Sequence, residues 1–238
     1  MDTKAVNLEI AWPESSESLL KQYSGRKHPL DYKNRYQLMV MVILAAQDSD
    51  KRINKITADF FKAYPSMKEL ADADIEDIRH LITSVRSFRK KSSWLSQIAK
   101  VLGDDANIPV TLAELTKLPG IGRKSANVII RESGIEAEGI IVDLHVVRVA
   151  LRLGVTESSN PDKIEKQLMN VYPKSDWNEI GMSMSFLGRE ICRPTNPQCP
   201  VCVMNTVCLY YNSRKDSVTR LDEENKKNLM FEEKTPNT

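Results

Sequence analysis

The sequence predicts an all-α protein, and three observations point there. Apolar residues recur at three- and four-residue spacing through most of the chain. Strand signals are scarce: the longest β-branched runs, VII at 128–130 and GIIVDLHVV at 139–147, are short and lie between helix-like patterns. Helix punctuation is frequent.

Taken in order, the helical period appears at 36–46 (YQLMVMVILAA), 55–63, 74–83, 93–102, 112–118, 124–133, 143–153, 161–171 and 177–190. That implies about ten helices joined by short loops. Thr111 with Glu114 three residues later has the form of a capping box. Gly103 and Gly134 fall where helices should end. Pro161 and Asp162 can open the helix that follows. From about Asn212 onward the tail is charged and apolar-poor, which predicts a mobile segment, with LMF at 229–231 as a possible docking point.

The chain has 238 residues, 41% apolar and 28% charged, enough for a real core in one large or two modest domains. No apolar run approaches a membrane span, so no membrane partner is expected. MDTKAVNLEIAWPESSE lacks the basic-then-apolar pattern of a secretion signal, so the expected setting is cytoplasmic and reducing, nucleoid-associated if prokaryotic. Net charge is only +2 and announces no nucleic-acid partner. Its distribution says more. From Arg79 to Gly103 there is no acidic residue, while Arg79, Arg86, Arg89, Lys90, Lys91 and Lys100 all occur. Such a stretch suits phosphates, and equally a solvated basic face.

All four cysteines lie within seventeen residues, Cys192, Cys199, Cys202 and Cys208, spaced C-x6-C-x2-C-x5-C. Disulfides fit poorly without a secretion signal. Zinc sites usually show two close Cys pairs, whereas one CxxC occurs here. A four-thiolate iron–sulfur cluster fits a compact, unequally spaced loop stiffened by Pro194, Pro197 and Pro200. The spacing alone leaves zinc and iron–sulfur both open. A loop shaped by metal also brings Arg193 to the surface, where it could touch DNA.

A second signal is Leu118-Pro119-Gly120-Ile121-Gly122-Arg123-Lys124, set between two helical patterns. Pro119 and the two glycines permit a tight turn. With no Cβ at Gly120 or Gly122, a sugar–phosphate backbone can approach closely, toward amides at a helix start. This reads as a helix–hairpin–helix that grips DNA backbone without reading sequence. Lys124 follows as an amine at that helix start, where the dipole and Arg123 favour the free base. A phosphate-binding lysine is the plainer reading. Asp143, nineteen residues on, is a carboxylate in an apolar run. It could cap a helix, do chemistry, or both.

The hairpin LPGIGRK, the downstream VDLH and the cysteine pattern, in this order, resemble the endonuclease III family of helix–hairpin–helix DNA glycosylases. The resemblance runs from about Tyr36 to Tyr210. It implies two helical domains flanking a DNA-binding cleft: a six-helix domain with the hairpin at 28–136, and an iron–sulfur cluster domain from 1–27 with 137–211, followed by the tail 212–238. It implies a [4Fe-4S] cofactor held by the four cysteines. Lys124 becomes the nucleophile that attacks C1′ of an extruded nucleotide, and Asp143 the carboxylate that stabilises positive charge at the sugar. Gln47, in LAAQDSD, matches the residue that fills the vacated space, and Asp50, Asn54 and Lys55 fit the pattern around it. Gly120, Gly122, Arg123, Lys91 and Arg193 are further expected DNA contacts.

The implied activity is removal of oxidised pyrimidines with strand cleavage by β-elimination through a Lys Schiff base, on double-stranded DNA holding a damaged base or abasic site, by a monomer. The alternatives are a monofunctional glycosylase for another damaged or mismatched base and a non-catalytic DNA-binding iron–sulfur protein. Three departures bear on substrate range. Leu144 replaces the family's Thr, the lysine-to-aspartate spacing is one residue longer, and Arg86-Ser87-Phe88 stands where Gly-Leu-Tyr is usual.

Overall fold

The computed structural model describes residues 10–214, and every regular element among them is helical. Those residues fall into two compact units. One consists of residues 25–141 with 174–182, the other of 10–24, 142–173 and 183–214.

The unit of 25–141 and 174–182 is built around α3 (Arg35–Ala45), which contacts α4 (Asp50–Ala63), α7 (Phe88–Leu102) and α9 (Arg123–Glu132). Its run from Leu38 to Leu44 is buried throughout, as expected of a helix that is apolar on all sides. The surrounding helices are amphipathic and bury Ile53, Phe60, Leu95, Ile98 and Val128. Asn34 and Ser49 cap α3 and α4 through their side chains. Ser66 caps the short α5 (Met67–Ala71) and Asp74 caps α6 (Ile75–Leu81), both of which pack on α7. Thr111 caps α8 (Leu112–Leu115), with Glu114 N donating to Thr111 Oγ at 3.3 Å. Gly103 ends α7 in the left-handed conformation. Gly134, also left-handed, follows α9, with Ile135 N closing back on Ile130 O at 3.2 Å.

The other unit holds α1 (Trp12–Ser15), α2 (Glu17–Tyr23), α10 (Leu144–Leu153), α11 (Pro161–Val171) and the part of α12 (Trp177–Glu190) beyond 182. Tyr23 stacks on Phe186 at 6.1 Å, and Ser16 Oγ lies 2.8 Å from Tyr172 Oη, tying the first segment to the later ones. Asn160 caps α11 with Pro161 as its first residue.

Most expected helices are present, with shifted ends. α4 starts at Asp50 rather than 55, and α7 starts at Phe88 rather than 93. α8 is one turn, shorter than the expected 112–118. The β-branched runs at 128–130 and 139–147 form no strand: they lie in α9, in an extended segment, and in α10. Of the expected mobile tail, residues 212–214 close a helical stretch at 209–214, and LMF at 229–231 lies outside the described residues. No described helix is long and apolar enough to cross a membrane.

Candidate functional site

The hairpin lies between α8 and α9. Leu115 and Leu118 point the chain into a turn closed by Ile121 N donating to Leu118 O at 3.2 Å. Ile121 is buried and anchors the turn from within. Gly120 has φ +82°, and a Cβ there would stand 2.4 Å from Cε3 of Trp94, so the indole of α7 lies directly on the turn. Lys90 Nζ sits 4.9 Å from the centre of the same indole. Gly122 caps α9 with nothing near its missing Cβ, leaving that side of the turn open. Arg123 and Lys124 are the first residues of α9, and Lys124 is exposed. An exposed amine thus stands beside helix-start amides that suit an anion.

Gln47 is exposed in the turn between α3 and α4 and has φ +59°. The neighbouring Asp48 is the residue sequence reasoning missed. Its carboxylate accepts from Ser49 N at 2.8 Å, from Arg86 N at 3.1 Å and from the Arg52 guanidinium. Burial alone would raise this carboxyl, but those hydrogen bonds and the Arg52 charge outweigh it and hold it below the usual carboxylate range. Asn54 instead pins the segment before α3, donating to Pro29 O at 3.0 Å and accepting from Asp31 N at 3.1 Å.

Lys91 corrects an expectation. It was expected to contact DNA, yet it is only 3% exposed. Its Nζ donates to Leu44 O at 2.8 Å and Ala46 O at 2.7 Å, and desolvation lowers its pKa. Lys91 lies one and two turns before Leu95 and Ile98, on the apolar face of α7. Arg86, Arg89, Lys90 and Lys100 are the exposed cations of that stretch.

In the other unit, Asp143 is the N-cap of α10. Oδ1 accepts from His145 N at 2.8 Å and Val146 N at 2.9 Å, and Oδ2 accepts from Ser185 Oγ at 2.7 Å. Arg189 lies 3.7 Å from Oδ2. Capping and chemistry are compatible here, since the amides and Ser185 fix the carboxylate in place. The adjacent Leu144 is 69% exposed, an unusual placement for a leucine.

The four cysteines form no disulfide and line one recess with Val149, Leu187 and Tyr210. Burial pushes the Cys202 thiol up to about 11 and also raises Cys199 and Cys208. Loading a metal there must therefore expel protons. Arg148 and Arg152, one turn apart on α10, brace the loop. Arg148 Nε donates to Cys192 O at 2.9 Å. Arg152 donates to Cys192 Sγ at 3.4 Å, Arg193 O at 2.7 Å and Pro194 O at 3.1 Å. The R-x3-R spacing was the available signal for this pair. Arg193 is exposed beside the loop, its Nε donating to Glu190 O at 3.1 Å. Among the described residues, no three His, Cys, Asp or Glu side chains close in as a single-ion site.

Residues 40–174 match the model of the HhH-GPD superfamily base excision DNA repair proteins. An endonuclease III from a Synechocystis species is 36% identical over 192 residues, covering 80% of this chain and 88% of that protein. A solved non-covalent endonuclease III–DNA complex superposes with TM-score 0.75 at 32% identity, covering 84% of this chain and 94% of the other. A trapped endonuclease III–DNA covalent intermediate superposes with TM-score 0.77 at 31% identity, covering 90% and 100%.

Proposed function

The chain belongs to the HhH-GPD superfamily of base excision DNA repair proteins, and from that premise we infer that it is a bifunctional DNA glycosylase and abasic-site lyase. The single observation that carries the residue-level reading is the exposed Lys124 amine, presented in the first turn of α9 directly after the hairpin. Its double-stranded DNA partner contains a damaged base or abasic site, as the endonuclease III–DNA complexes support.

Gly120, Gly122 and Arg123 hold the sugar–phosphate backbone, and the target nucleotide leaves the stack. Lys124 Nζ attacks C1′ as the N-glycosidic bond breaks, and the base departs with that electron pair and is protonated. Asp143 stabilises the positive charge that develops at the sugar. The amine, now bonded to C1′, loses a proton as the sugar ring opens to a Schiff base. Loss of a C2′ proton then expels the 3′ phosphate, and water releases the enzyme. Oxidised pyrimidines are the proposed substrates. The protein acts as a monomer in a cytoplasmic, nucleoid-associated setting.

Cys192, Cys199, Cys202 and Cys208 are the proposed holders of a [4Fe-4S] cluster. All four thiols line one recess, as ligands shared by a single four-thiolate group must, and the iron–sulfur reading over zinc rests on the family. When bound, the cluster supplies metal–thiolate bonds that fold the loop. Iron and acid-labile sulfide in purified protein support this, whereas stoichiometric zinc in colourless protein overturns it.

The catalytic reading is tested by borohydride reduction on abasic-site duplex. A covalent adduct should form with wild type and be absent in Lys124→Ala. Base excision from lesion duplexes without any adduct supports a monofunctional glycosylase. Binding with neither excision nor adduct supports a non-catalytic protein.

A further inference from the structure

Two residues of the 25–141 unit hold the left-handed conformation without being glycine, Gln47 and Ser87, each with φ +59°. Such residues persist only where their surroundings over-determine them, and they concentrate at working sites. Here the surroundings are visible. Asp48 follows Gln47, and its carboxylate accepts from the backbone N of Arg86, which precedes Ser87. One buried acid thus ties both turns together, with its side chain 3% exposed. Lys91 secures the same pair from below. Its Nζ binds the two carbonyls at the end of α3, and its own amide donates to Ser87 O at 3.1 Å.

We propose that Asp48, seconded by Lys91, is a positioning residue that fixes Gln47 and Ser87 as a rigid edge for insertion into duplex DNA. The inference rests on the repair reading above. Glycine at 47 and 87 would close the same turns without strain and without burying a charge. Retaining a strained glutamine with an exposed side chain indicates that the side chain is used. Its amide both donates and accepts, which suits the edge of a base left without its partner. Lys51, Arg86, Arg89 and Lys90 are exposed within four residues of Gln47 or Ser87 in the chain, cations that suit the flanking phosphates. Asp48 is the acid that orders the two turns from beneath while adding no negative surface.

The test uses abasic-site duplex with 2-aminopurine opposite the lesion, first establishing borohydride trapping by wild type. Asp48→Ala should then raise KM and lower kcat/KM by about tenfold, the scale of a misplaced positioning group. The 2-aminopurine fluorescence change on binding should be lost. Asp59→Ala, which removes an exposed ion pair with Lys62, should keep both. Gln47→Gly relaxes the turn but deletes the amide, so it should lose the fluorescence change with no drop in melting temperature. Should Asp48→Ala fail to melt cooperatively, Asp48→Asn is read in its place. A folded Asp48 variant with wild-type KM and fluorescence change overturns the positioning role and leaves the repair reading intact. A wild type that neither traps nor excises overturns the repair reading itself, and this inference with it.

Discussion

Gly120 and Gly122 sit two residues apart in one hairpin, yet physical chemistry separates them. At Gly120 the backbone is left-handed and the Trp94 ring fills the place of a side chain. Gly120→Ala must both adopt an unfavourable φ and push an indole aside, an overpacking cost of about 1–3 kcal/mol. At Gly122 the backbone is ordinary and the space is open. Gly122→Ala should therefore melt within about 0.5 kcal/mol of wild type while binding abasic-site duplex more weakly, because its methyl meets the incoming phosphate backbone. Urea unfolding alongside fluorescence anisotropy separates these outcomes, and equal DNA affinity for Gly122→Ala and wild type contradicts the backbone-gripping role. Asp48 carries a different signature. Its folded pKa lies below the unfolded value, so its contribution is fully present above the unfolded pKa and is lost as pH falls through the folded one. Asp48→Asn should cost on the order of 1–3 kcal/mol at neutral pH, from the charge-assisted bonds to Arg52, Ser49 and Arg86. That deficit should shrink as pH drops below about 4. A deficit constant from pH 7 to pH 3 in urea titrations would show that charge plays no part.

Single helices organise the two parts of the chemistry. α7 presents Ser87, Lys91 and Trp94 at four- and three-residue spacing, so one helix supports the insertion turns and the hairpin together. α10 begins with Asp143 and ends with Arg152 against Cys192, which joins the proposed carboxylate to the proposed cluster loop through one rigid rod. Arg152→Ala should release iron to a chelator about tenfold faster than wild type, the scale of losing an outer-shell hydrogen bond. Arg152→Lys should restore little of this, since a lysine lacks the planar fork that reaches Cys192 Sγ, Arg193 O and Pro194 O at once. Iron release followed by visible absorbance decides it, and release at the wild-type rate from Arg152→Ala contradicts the bracing role. At this scale the limits of sequence reading are also plain. The amphipathic helices α9, α10 and α11 are legible because their apolar stripes repeat for three turns and their caps are Gly, Asp and Asn. α1, α2 and α5 are too short to show a period, and tertiary packing rather than propensity holds them. The early start of α7 is hidden because its N-cap, Ser87, is left-handed and makes no side-chain cap. Lys91 shows why charge alone misleads: Lys90 and Lys91 are adjacent letters but point about 100° apart on a helix. The hairpin and the cysteines are legible because glycine and thiol carry special geometry wherever they occur. Asp48 is not, because a buried acid tying two distant turns leaves no local pattern.

The chain passes between its two compact units four times, at 24/25, 141/142, 173/174 and 182/183. One unit has a near-continuous sequence and a core centred on a helix buried along its length, α3. The other is assembled from three separated segments and includes the cysteine loop, where between Cys192 and Cys208 only Met204 and Cys208 are buried. Metal–thiolate bonds of the proposed cluster would add to the little that apolar burial supplies there. This asymmetry makes an expectation about the whole molecule: removing the proposed cluster should loosen one unit and spare the other. In Cys202→Ser, amide hydrogen exchange should rise strongly in peptides from 144–153 and 187–211, where α10 and the loop brace each other. Peptides from 36–44, 53–60 and 95–99 should keep protection near the wild-type level, because these helices belong to the unit without the cysteine loop. Thermal unfolding should correspondingly broaden or split, since two units of unequal stability no longer melt together. Uniform loss of protection across both sets of peptides would mean that the cluster stabilises the protein as one cooperative body. Unchanged protection in 187–211 would mean that the thiols hold no structural metal.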